Sequence, residues 1–338
     1  MMNQASSPGL WALAWKRLRD DKIAMAALGV VGMFLLMLVL SASGLIVSDW
    51  EDEVAVSYAP PSFTEAGGSA RAAQQAAVPQ VVPPNASDPL AADIAELRAG
   101  SGGVKLAPNV PKQATLAFGA DKWGHDIIKK TIKGAETSII VGLVAALLAV
   151  TLGTLFGAFA GYFGGAVDDL FNWFYSIFTS IPSILMILTV AAVLNQKGVT
   201  TIVLILGLTG WTGPFRLIRS EYIKHKGREY VMAADAIGAS HMRKMFSHIL
   251  PNVSHVALVQ MSILVVGFIK SEVILSFLGF GVPVGVVSWG SMLNEAQNEL
   301  ILGKWWQITA AASAMALLVT AFSLFTDALR DALDPKLK

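Results

Sequence analysis

Six apolar stretches separated by polar segments limit what this chain can fold into. Residues 23–47, 137–163, 170–194, 199–215, 253–278 and 306–326 carry almost no charge. Most reach the ~20 residues that cross a ~30 Å hydrocarbon layer. In lipid, a segment must satisfy its backbone polar groups itself, so stretches of this length are read as helices. The chain of 338 residues is 54% hydrophobic and 14% charged, with mean hydropathy +0.58, which is too apolar for a soluble domain of this size. A net charge of +1 offers no field for nucleic acid, and the absence of cysteine excludes disulfides, thiolate metal sites and cysteine nucleophiles. The first stretch is too long for the apolar part of a signal peptide and is expected to be retained.

Sidedness follows from the basic residues. Lys16, Arg17, Arg19 and Lys22 precede the first stretch and place residues 1–22 in the cytoplasm. Counting spans puts residues 216–252 on the same side, where Lys224, Lys226, Arg228, Arg243 and Lys244 outnumber the acids. Residues 48–136 then lie outside. From Asp49 to about Gln113 this loop is rich in Ala, Pro, Gly and Ser, and it reads as a mobile insertion with one candidate helix at residues 88–99. A further amphipathic helix is expected along the outer surface at residues 126–133, with Lys129, Lys130 and Lys133 external.

Several features inside the spans call for partners. Gly153, Gly157 and Gly161 recur at four-residue spacing, which lets another helix approach closely. Pro182 is expected to kink the third span, and Arg216 and Arg219 belong at the membrane edge. Lys270 and Glu272 stand two residues apart, hence on different helix faces, and are not expected to pair with each other. A structural partner or a water-filled path would equally satisfy Glu272. Pro182, Ser183, Glu272 and Ser276 are the candidates for a translocation path.

Residues 229–252, EYVMAADAIGASHMRKMFSHILPN, differ from everything around them. They are polar, basic and helix-prone, and they lie between apolar spans. Two short helical runs are expected, joined at Gly238, where no Cβ hinders a bend. Ala233, Ala234 and Ala236 leave a small-residue face before the bend, and Pro251 ends the pattern where the next span begins. Such an element suits docking by a soluble partner.

This segment resembles the coupling loop of ABC-importer permeases, in which Glu-Ala-Ala is followed by Gly and later by Leu-Pro. Here the Glu position is Met232. The run from Leu275 to Leu293, LSFLGFGVPVGVVSWGSML, is similar to one in the C-type permease subunits of oligopeptide, dipeptide and nickel importers. So are the segment Gly119, Ala120, Asp121 … Gly124, His125, Asp126 before the second span and the C-terminal TDALRDALDPKLK. Relatives carry Arg and Asp near the third-span proline, where this chain has Trp173 and Ser176.

The resemblance implies an all-α integral membrane protein of the bacterial inner membrane. It would have six transmembrane helices in the type I ABC-importer permease fold, with both termini cytoplasmic. The permease domain would span residues 137–327, followed by a tail at 328–338. It implies a second permease subunit as hetero-dimer partner, two cytoplasmic ABC ATPases and an extracytoplasmic solute-binding protein, with small peptides or nickel as cargo. The ATPase-coupling residues would be Glu229, Tyr230, Ala233, Ala234, Asp235, Gly238, Ala239, Ser240, Arg243 and Pro251. No phosphate-binding loop or metalloprotease spacing occurs, so no catalytic residues, metal or cofactor are expected. A stand-alone secondary transporter is the alternative; it would need inverted repeats and mid-membrane charges, which this sequence does not display.

Overall fold

The computed structural model describes residues 10–76, 112–194 and 196–333. These residues form helices joined by turns, with only isolated bridges between extended residues. The chain divides into two units, residues 1–48 with 130–338, and Asp49–Lys129.

In the larger unit, α1 (Leu10–Asp20) leads into α2 (Lys22–Ala42) through Asp21, whose Oδ1 accepts the amides of Ile23 and Ala24 at 2.8 and 3.1 Å. This is an N-cap that satisfies otherwise orphaned donors. The smaller unit's α3 is Glu65–Ala76. Next in the chain are α4 (Ile127–Phe163), α5 (Gly165–Thr179), α6 (Ser183–Leu194), α7 (Val199–Thr209) and α8 (Thr212–Lys226). The short α9 (Glu229–Ala236) precedes α10 (His241–Phe277), and α11 (Trp289–Ile301) and α12 (Trp306–Leu333) complete the described chain. Among the described residues, five helical stretches are long and apolar enough to cross a membrane, α7 and α8 counting as one, and the pair α5 and α6, bent by 83° at its break, adds a sixth if it is a single span.

Several expected boundaries move. The separate surface helix at residues 126–133 does not form, because α4 starts at Ile127 and runs unbroken to Phe163. Lys130 is buried against Glu295 at 2.7 Å, and Lys133 pairs with Glu136 at 2.8 Å. At Pro182 the third span breaks rather than kinks. The Thr179 and Ser180 hydroxyls donate to the carbonyls of Tyr175 and Ile177, supplying local donors at the break. The fourth span is interrupted at Gly210 and Trp211 and then continues to Lys226, beyond the expected end at residue 215. Trp211 is 1% exposed and sits among the rings of Phe156, Phe174, Phe178 and Phe215.

The glycine stripe of α4 lies directly on α8. A Cβ at Gly153 would stand 2.6 Å from the Trp211 carbonyl oxygen, one at Gly157 2.8 Å from that of Phe215, and one at Gly161 2.5 Å from that of Arg219. The two backbones therefore touch, as the four-residue spacing implied.

In the smaller unit, residues 49–76 and 112–129 are built around buried Ala55, Ala59, Leu116 and Ala120. Asp121 is fully buried; its carboxylate accepts the amides of Trp123 and His125 at 2.8 and 3.0 Å and contacts His125 Nδ1 at 2.9 Å. The Gly-Ala-Asp … Gly-His-Asp segment is thus a turn organised by one carboxylate. Gly124 adopts φ +90°, and a Cβ there would collide with the Ala55 carbonyl oxygen. Lys129 bridges to Asp49 and Lys112 to Glu53, and their ammonium groups hold both carboxyls below the usual range. The reading of residues 49–113 as a mobile insertion with its one candidate helix at 88–99 is corrected for residues 49–76, where a helix forms at Glu65–Ala76. Helix α3 there is alanine-rich, and alanine is the strongest helix former as well as a low-complexity residue. The candidate helix at 88–99 lies outside the described residues.

Candidate functional site

The segment 229–251 forms one limb and one turn. Helix α9 closes with a glycine cap in which the Gly238 amide donates to the Asp235 carbonyl at 2.9 Å and the Ala239 amide to that of Ala234 at 3.0 Å. This bonding pattern requires a left-handed residue, and Gly238 has φ +77°. Ser240 then caps the next helix, its hydroxyl accepting the Arg243 amide at 3.3 Å. The expected second short run does not exist as a separate helix. It is the start of α10, which passes through Pro251. Proline cannot donate to the preceding turn and crowds its carbonyl. That turn, Lys244–Ile249, is a π-helix, a wider coil that accommodates the ring. Pro251 therefore reshapes the helix and does not end it.

Burial divides α9 into two faces. Val231 and Ala234 are buried, and Val231 joins a cluster with Ala158 and Tyr162 of α4, Ile218 and Tyr222 of α8, and Met245 and Ile249 of α10. Ala233 and Ala236 are exposed, so the alanines do not form the single packing face expected. Glu229, Tyr230, Asp235, Ser240 and Arg243 are also exposed, and Ala239 is half-buried. Met232 is 55% exposed, Ile237 83% and Met242 49%, which gives an apolar surface around the Gly238 turn.

The limb is tied down on three sides. Lys244 is buried and bridges to Asp235, holding that carboxyl below the usual carboxylate range. Tyr162 Oη lies 2.9 Å from His241 Nδ1, and Tyr222 Oη donates to the Met245 carbonyl at 3.1 Å. Asp235 thus ties α9 to α10, and α10 is tied in turn to α4 and α8. Tyr162, Tyr222 and Lys244 escaped the sequence reading because their partners lie on other helices. Asp168 and Arg219 escaped for the same reason. They form a bidentate pair between α5 and α8, at 2.5 and 2.6 Å. Trp173 and Ser176, where relatives carry charges, do not replace it: Trp173 is exposed and the Ser176 hydroxyl donates to the Asn172 carbonyl.

The four path candidates are not brought together. Pro182 and Ser183 are exposed at the broken span. Glu272 is fully buried, accepting the Ser138 hydroxyl of α4 at 2.6 Å and that of Ser276 at 2.7 Å, while the Trp289 amide of α11 donates to Ser138 Oγ at 3.3 Å. Ser276 is buried as well, so both residues belong to a polar seam joining α4, α10 and α11 and present no surface. Lys270 is exposed on the opposite face, as its spacing implied. Glu272→Leu strands two buried hydroxyls and is expected to cost about 2–4 kcal/mol, with Glu272→Gln costing clearly less. Thermal stability of both variants in detergent reads the difference, and equal stability would contradict the seam.

Residues 153–338 match the family model of the binding-protein-dependent transport system inner membrane component, and residues 9–61 match the N-terminal transmembrane domain of oligopeptide transport permease C. The chain is 36% identical over 230 residues to the dipeptide transport system permease protein DppC of Bacillus subtilis, covering 68% of this chain and 72% of that one. It is 37% identical over 221 residues to the oligopeptide transport system permease protein OppC of the same organism, covering 65% and 72%. Similarity to the dipeptide permease DppC of Lactococcus lactis is 30% over 327 residues, 96% of this chain and 90% of that one. With its membrane-crossing helices and these matches, the chain belongs to the C-type permease subunits of ABC importers, multi-pass proteins of the bacterial inner membrane.

Proposed function

We propose that this chain is one of two permease halves of a peptide importer, driven by separate ATPases that grip the α9–Gly238 surface from the cytoplasm. In this family the ATPase is a separate subunit. The observation that carries the reading is the apolar surface of Met232, Ile237 and Met242 on a limb whose other face is locked to three spanning helices. A soluble partner closing on that surface would move α4, α8 and α10 together. The excess of Lys and Arg in residues 216–252 supports a cytoplasmic position for the limb and for both termini. The relatives' names favour peptides over nickel as cargo. A solute-binding protein would deliver peptide to the outer loops, and a second, different permease would complete the path.

Proteoliposomes holding both permeases, with ATPases and binding protein, are expected to take up peptide only with ATP and both ATPases present. Uptake that persists without them would favour a secondary transporter. The turn provides a sharper test. A Cβ at Gly238 would meet nothing within 4 Å, so the penalty for a side chain is strain at positive φ and not crowding. Valine is expected to cost about 1–2 kcal/mol there, and asparagine, which tolerates this conformation, much less. Gly238→Val should therefore lower peptide moved per ATP several-fold while Gly238→Asn stays near wild type. Equal coupling in the two variants would remove Gly238 from the assignment.

A further inference from the structure

A cleft of about 770 Å³ lies between the end of α8, the first half of α10 and the end of α12. Its lining includes Lys224, His225, Arg228, Asn252, His255 and Arg330. Glu221 also faces it and is engaged by Lys224 at 3.0 Å and His225 at 3.5 Å. Arg228 and Arg330 make no ion pair among the described residues, so the cleft carries uncompensated positive charge on two of its walls.

Gln260 and Ile263 also line the cleft, Ile263 lying about 16 Å along α10 from Asn252 at ~1.5 Å per residue. The Gln260 amide has no hydrogen-bond partner within the described residues, although its two donors and its acceptor all require one. Acyl chains cannot supply partners, whereas water or a peptide can. A cationic cleft that extends along α10 differs from the Pro182, Ser183, Glu272 and Ser276 set, half of which is sealed in packing.

We propose that this cleft is the aqueous cytoplasmic part of the cargo path and that Arg228 and Arg330 hold the carboxylate end of a peptide as it leaves. The proposal rests on the peptide-importer reading above. Paired with a guanidinium, a carboxylate accepts charge-assisted hydrogen bonds in a fixed fork geometry. A C-terminal amide offers no such charge.

The chain contains no cysteine, so an introduced cysteine is the only one it carries, and the assembly with the wild-type chain sets the background from its partners. In the assembled transporter, Gln260→Cys and Ser220→Cys are expected to react with a membrane-impermeant cationic thiol reagent added from the cytoplasmic side. Alanyl-alanine should slow that reaction and its C-terminal amide should not. Arg330→Gln should raise the protecting concentration of alanyl-alanine about tenfold, the loss expected for one charge-assisted hydrogen bond. If neither cysteine reacts while the variants hydrolyse ATP normally, the cleft is closed or filled by lipid and the proposal fails. If dipeptide and amide protect equally, or neither protects, the carboxylate assignment fails. Loss of the importer reading would show itself separately, as absent ATP-driven peptide uptake by the wild-type assembly.

Discussion

Leucine at position 157 leaves the chain without a stable membrane core. Gly157 lies where α4 and α8 meet backbone to backbone, and its missing Cβ would already stand 2.8 Å from the Phe215 carbonyl oxygen and 3.0 Å from the Arg219 amide nitrogen. The obstructing atoms are mainly helix backbone, which cannot rotate aside as a side chain can. The flanking glycines, 153 and 161, contact the same helix and block relief by tilting. Accommodating a leucine means separating the helices, which also loosens the cluster of Ala158, Tyr162, Ile218 and Tyr222 that anchors α9. Overpacking typically costs about 1–3 kcal/mol, and a backbone seam belongs at or above the upper end. Gly157→Leu is therefore expected to yield little monodisperse protein in detergent, with Gly157→Ala intermediate. Wild-type yield and thermal stability for the leucine variant would show that the two helices do not touch in the membrane.

The second large effect leaves the fold intact. Met232 and Ile237 are largely exposed, so changing both to aspartate removes little internal packing and should alter stability by no more than about 0.5 kcal/mol at each site. If they fill a pocket on an ATPase, each becomes a buried interface anchor, and truncated anchors cost about 2 kcal/mol or more apiece. Two buried carboxylates without partners add to that penalty. Together they should weaken ATPase association by at least about a thousandfold, at 1.4 kcal/mol per tenfold. Co-purification with the ATPases should fail and ATP-driven uptake should vanish, while insertion and thermal stability match wild type. Normal association of the double variant would mean that this surface faces something else. Met232 is informative here because relatives carry a Glu at that position. An exposed thioether in its place makes the contact apolar, and it makes no ion pair.

The spans and the turn at Gly238 were legible because each is a local property. Twenty apolar residues imply a crossing wherever they occur, and Gly238 announces a left-handed cap whatever packs nearby. The GxxxG spacing likewise announced a close neighbour, but not that the neighbour is α8. Pro251 misled because proline's effect depends on whether the helix can widen around it, and the π-turn at Lys244–Ile249 does so. Glu272 was left between two readings because the decision rested on Ser138, far away in the chain and adjacent only after folding. Alanine-rich composition concealed α3 for a different reason, since the residues that mark low complexity are also good helix formers.

Sequence alone therefore determined the family, the membrane-crossing helices, the basic excess of residues 216–252 and the position of the bend at Gly238, all of which follow from short stretches of chain. Tertiary structure decided which face of α9 is exposed and which is buried, the Asp168–Arg219 pair, the burial of Glu272 and the cationic cleft beside Gln260. The physical reason is that hydrophobic length and backbone conformation act over neighbouring residues. Charge pairing and burial depend instead on side chains that meet only once the helices have packed.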